Sequence, residues 1–101
     1  MSGNEEMKKL KSIITDDLGH CFVCGDRNVA IHHIYGGRNR KISDTNGFIV
    51  PLCPFHHNMS DNAVHFNKIL DLALKRTCQK IYEENHTRAE FMGLIGRNYL
   101  E

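Results

Sequence analysis

Eight side chains of the kinds that bind transition metals fall between residues 21 and 65: Cys21, Cys24, His32, His33, Cys53, His56, His57 and His65. Thiolate and imidazole are the usual donors for zinc and related ions, so this density points to metal chemistry. Cys21-Phe22-Val23-Cys24 and Cys53-Pro54-Phe55-His56 share the same two-residue interval. Each reads as a knuckle, a tight turn whose two donors converge on one ion. Together Cys21, Cys24, Cys53 and His56 make a closed Cys3His set for a structural Zn2+. The competing reading is buried thiols with a surface histidine. Cys78 stands apart, on the apolar face of a predicted helix, where a free thiol acts as a small hydrophobe.

Four histidines are left over. A closed zinc site is structural, whereas catalysis requires an ion with an open position, and His32, His33, His57 and His65 could supply one. Adjacent residues on a regular strand face opposite sides, so His32 and His33 share one centre only where the strand ends or twists. Gly36-Gly37 just beyond permits that. One imidazole would then bind the ion and the other would meet water or substrate. On one continuous helix, the eight residues from His57 to His65 would span about 12 Å, so both reach one ion only if the chain bends between Asn58 and Asn62.

The elements that must position these groups can be read from periodicity and punctuation. Met7, Leu10, Ile14 and Leu18 step by three and four, Ser2 and Glu5 have capping-box spacing, and Gly19 is a stop, so the pattern predicts a helix over 4–18. After the first knuckle, 29–34 reads as a strand, the segment through Asn46-Gly47 as a loop, and 48–52 as a second strand with Pro51 at an edge or end. Ser60, Asp61 and Asn62 offer caps for a long helix running to about Asn85. Its apolar face is Phe66, Leu70, Leu74, Cys78 and Tyr82, flanked by Ile69, Ala73 and Ile81. Thr87-x-x-Glu90 opens a last short helix that Gly96 closes.

At 101 residues, with 41% hydrophobic and 25% charged residues, the chain is expected to be one globular domain, too small to bury a large core without a staple. The expected organisation is α+β: an N-terminal helix (1–19), a zinc-braced β-hairpin core (20–66) and a helical tail (67–101). No apolar run reaches the roughly 20 residues that span a bilayer, and MSGNEEMKK has no signal-peptide core, so a cytoplasmic setting with reduced thiols is expected. Net charge is only +1, yet from Arg27 to Ser43 there are four basic residues and no acid. Arg38, Arg40 and Lys41 therefore form a basic loop beside the metal ligands, placed to meet a phosphate backbone or merely solvated.

The order CxxC, IHHI, an Asn-bearing loop and LCxxHH resembles the HNH nucleases with the ββα-metal fold, in the branch where two zinc knuckles brace the hairpin. RKxSD, PLCPFHH, a downstream VH and the terminal IGRNYL are similar to small phage-encoded members, including the RecA-dependent recombination-enhancement nucleases. The likeness covers residues 20–66 well and the tail more loosely. It implies that His32 and His57 bind a catalytic divalent ion (Mg2+, Mn2+, Ni2+ or Zn2+) with His65 as a third ligand. It also implies that His33 is the general base, oriented by Asn46 or by Asp44 of the same loop, and that Arg38, Arg40 and Lys41 hold DNA by its phosphates. The implied activity is hydrolysis of DNA phosphodiesters with low sequence specificity, with a RecA-type filament as an implied partner. Two rivals accompany this expectation: a non-catalytic zinc-stabilised module that binds nucleic acid or protein, and a purely structural phage component.

Overall fold

Strand β1 (Ala30–His33) and strand β2 (Ile49–Leu52) pair antiparallel, with Ala30 opposite Leu52, Ile31 opposite Pro51, His32 opposite Val50 and His33 opposite Ile49. They belong to a computed structural model that describes residues 10–57, 64 and 67–100. All four residues of β2 are buried, as expected for branched and apolar side chains in the middle of a small domain. Pro51 donates nothing to the ladder but its carbonyl accepts from Phe22 N–H at 2.8 Å, so the first knuckle is pinned alongside β2.

The connection between the strands is more ordered than a loop. A 3-10 turn (Gly37–Asn39) leads into α1 (Arg40–Asn46), which ends at Gly47 in the left-handed region, φ 77°. What holds this helix is tertiary. The Ser43 hydroxyl, fully buried, donates to Tyr35 O at 2.7 Å and accepts from Tyr35 N–H at 3.1 Å. A serine that satisfies both polar groups of a neighbouring peptide fixes α1 against the end of β1, and turn-forming residue types alone could not disclose it.

A short helix, α2 (Pro54–His57), follows β2 directly, and α3 (Lys68–Tyr82) and α4 (Arg88–Ile95) complete the chain. The α3 cap is Asn67, whose side chain accepts from the N–H groups of Ile69 and Leu70; the predicted caps Ser60, Asp61 and Asn62 lie outside the described residues. Thr87 and Glu90 form the predicted capping box of α4, and Gly96 closes it with φ 86°. The predicted helix over 4–18 is not formed in its described part, residues 10–18; residues 1–9 lie outside. The Ser12 hydroxyl donates to Ile49 O at 2.6 Å and accepts from Ile14 and Thr15 N–H, while Ile13 N–H reaches Gly47 O. Bonds to β2 and the α1 terminus thus take the groups a helix would have used.

The core is an aromatic cluster between the strands and the two long helices. Tyr35 packs edge-on against Phe48 and Phe91, each at 5.5 Å between ring centres, and its hydroxyl donates to Lys75 O of α3. Such pairs add about 0.5–1.5 kcal/mol each beyond the area they bury. Leu74 and Cys78 are buried on α3, with Leu70 and Tyr82 half-buried, whereas Ile69 is 83% exposed and Ala73 exposed. The buried face of α3 is therefore narrower than predicted. Gln79, also fully buried, donates to Glu83 and Asn98 and accepts from Tyr99 N–H, which ties the C-terminal segment to α3. No helix among the described residues is long and apolar enough to cross a membrane.

Candidate metal centre and basic cleft

Cys21, Cys24, Cys53 and His56 each bring one donor atom into a cluster in which all four lie within 4.8 Å of one another. Two local turns accomplish this. In the first, Gly25 N–H bonds Cys21 O and Cys21 N–H bonds Asp26 O, with Gly25 at φ 85° where a side chain would be strained. In the second, the Cys53 carbonyl accepts from both His56 and His57 N–H at the start of α2. The measured edges are 3.6 Å for Cys24 Sγ to Cys53 Sγ, 3.7 Å for Cys21 Sγ to His56 Nδ1 and 3.4 Å for Cys53 Sγ to His56 Nδ1. A zinc tetrahedron with ordinary Zn–S and Zn–N bonds has edges of about 3.8 Å between sulfurs and about 3.6 Å between sulfur and nitrogen. The donor set fits that ion.

The thiol chemistry agrees. Burial pushes the Cys21 thiol up, but backbone hydrogen bonds from Cys53, Cys24 and Val23 outweigh it and hold it at about 6, below the usual 9.0. For Cys24, a backbone hydrogen bond from Asp26 favours the thiolate, yet desolvation and the sulfurs of Cys53 and Cys21 carry it above the ordinary value. One sulfur is prepared to ionise and its neighbour then resists, which is what close like charges do. A cation among them removes the conflict. Cys78 is 0% exposed and takes no part; burial raises its thiol to about 12.

Between the staple and α1 lies a cleft of about 260 Å³ lined by Ile31, His32, His33, Gly36, Arg40 and His57. Because β1 ends at His33, both adjacent imidazoles border it. The His32 ring is buried and meets the His57 ring nearly edge-on, with centres 5.4 Å apart at 68°. His65 lies outside the described residues. His33, on the other side of β1, places Nε2 at 3.5 Å from Asp44 Oδ1 of α1. Asn46 donates its amide to Ile42 O at 2.9 Å within the same helix.

An adjoining depression of about 520 Å³ is lined by His33, Gly37, Arg38, Arg40, Lys41 and Asp44. Winding of 37–46 into helical turns brings the three predicted phosphate-binding residues around one opening, with His33 on its wall. Of the two residues the resemblance offers beside His33, Asp44 is the one that α1 brings near its ring, while Asn46 bonds within α1. The antiparallel pair, the flanking helices and the Cys3His cluster make a small α+β domain of generic ββα-metal-like arrangement. Compared with models of known protein families, with curated proteins and with solved structures, the chain matches none.

Proposed function

We propose that this chain is a zinc-stapled module that seats a nucleic-acid backbone in the cleft between β1 and α1. The observation that carries the reading is the convergence of Arg38, Arg40 and Lys41 on the depression bordered by His33, where Asp44 is the lone acid among the described lining residues. Three cations around an open concavity address phosphates and not base edges, so binding has low sequence preference and falls steeply with salt. If each cation neutralises one phosphate, the three account for a slope of about −2 to −3 in log K against log salt. Replacing all three by alanine should flatten the slope by that amount while zinc content and helical circular dichroism stay unchanged. An unchanged slope in the folded variant would remove the cleft as the binding surface.

A second reading, metal-dependent hydrolysis of DNA phosphodiesters, is favoured by the His32 and His57 pair at the floor beside His33. In it His33 takes the proton from the attacking water, near neutral pH as imidazole can, and Asp44 at the opposite ring edge steadies the imidazolium that forms. Asn46 holds the end of α1 through Ile42. His32, His57 and His65 would hold a divalent ion, which when bound supplies charge stabilisation at the phosphate and the leaving oxygen. The resemblance to phage recombination nucleases adds a RecA-type filament as partner. The test is cleavage of supercoiled plasmid with Mg2+, Mn2+, Ni2+ or Zn2+ by the native chain and by His33→Ala. Loss of cutting with retained DNA binding assigns His33 as the base. Binding without cutting by the native chain in every metal leaves the module non-catalytic, and equal cutting by both proteins overturns the role of His33.

A further inference from the structure

The cleft does not end at the basic loop. Its first depression, at His32 and His57, shares His33 and Arg40 with the second, and the second shares Arg38 with a third of about 410 Å³ that reaches the C-terminal end of α4. The third groove lies outside the site described above. Its lining includes Ile42 and Leu94, both half-buried, with Gly93 and Gly96 from α4. The Asn39 amide donates to Ile95 O at 3.0 Å, so the 3-10 turn is pinned to the end of α4 and the groove has fixed walls. Among the described residues, no acidic side chain lines this groove. Arg38 at one end, with Ile42 and Leu94 beside it, suits a sugar-phosphate chain that continues from the basic loop with its bases against apolar surface.

We infer that one strand of a nucleic acid runs from His33 over Arg38 and along the groove to the C-terminal end of α4, so that the bound length extends beyond the basic loop. The inference rests on the nucleic-acid reading above and adds a second segment to its footprint. Arg38 is the hinge of the track, since it alone borders both segments.

Gly93 gives a clean test. It is exposed within α4, and a Cβ built there meets nothing within 4 Å, so side chains can be added without disturbing the fold. Gly93→Glu, Gly93→Gln and Gly93→Lys are compared by fluorescence anisotropy with labelled oligothymidylates of about 4 and about 16 nucleotides at one salt concentration. For the long strand, the Glu variant should bind about fivefold more weakly than the Gln variant and the Lys variant about fivefold more tightly. The short strand, which fills only the cleft, should change by less than about twofold between variants. Equal binding of the long strand by all three variants, with the native chain still binding, overturns the track and leaves the cleft standing. An equal response of both lengths overturns it too, since the charge would then act through the general field. Failure of the native chain to bind either strand overturns the underlying reading, and the track with it.

Discussion

Chelation of zinc from the Cys21, Cys24, Cys53 and His56 cluster is expected to unfold the whole domain. The four donors come from segments that bracket the two strands, and a lone strand pair is marginal in water. A domain of this length has a net stability of roughly 5–15 kcal/mol, at roughly 0.05–0.15 kcal/mol per residue. A structural zinc contributes about 10–16 kcal/mol near pH 7 in small metal-folded domains. The ion term is therefore as large as the total, and little folded protein should survive its loss. Cys78 reports the outcome, because it is no ligand, is 0% exposed and has its thiol raised to about 12 by burial. In the native protein no fast reaction of Cys78 with a thiol reagent is expected. On addition of a strong chelator all four cysteines should react together as the helical circular dichroism collapses, with one zinc released per chain. Reaction of three cysteines while Cys78 stays protected and the helices persist would refute the reasoning, since the staple would then be local and the aromatic core self-sufficient.

Gly47→Ala should cost about 2–4 kcal/mol, combining a left-handed backbone penalty with displacement of neighbouring backbone. Gly47 has φ 77°, and an added Cβ would come within 2.9 Å of Lys11 O and 3.3 Å of Ile13 N. Gly36→Ala, whose Cβ meets nothing within 4 Å, is the control and should lie within about 0.5 kcal/mol of the native chain in urea denaturation; equal losses would discount the clash. Hydrogen bonds from Arg88 and then Gln79 hold the Glu83 carboxyl below its usual 4.5. A lowered carboxyl stabilises the fold above its ordinary value, and the effect fades as pH falls through the lowered one. The pair is partly exposed, so Glu83→Gln should cost only about 0.5 kcal/mol at pH 7 and nothing near pH 2. The same loss at both pH values would show that charge is not the cause.

The Cys3His cluster could be read from the chain because a knuckle is local: two donors separated by two residues converge within one turn, whatever the rest of the fold does. The α4 boundaries were legible for the same reason, since Thr87, Glu90 and Gly96 satisfy their own helix ends. The helix expected over residues 10–18 failed where its groups were claimed from a distance, Ser12 by Ile49 and Ile13 by Gly47. The segment after Tyr35 read as a loop because its residues favour turns, yet Ser43 secures α1 through a peptide eight residues away.

The sequence by itself determined which side chains are the candidates for chemistry: a Cys3His set, leftover histidines and a basic stretch free of acids. Tertiary structure decided which of them meet. Ending β1 at His33 brought His32 and His33 to one cleft, and α1 delivered Asp44 to His33 and gathered Arg38, Arg40 and Lys41 around a single opening. Donor type and short spacing are written in adjacent residues, whereas the approach of groups from separate elements depends on packing and hydrogen bonds that span the chain.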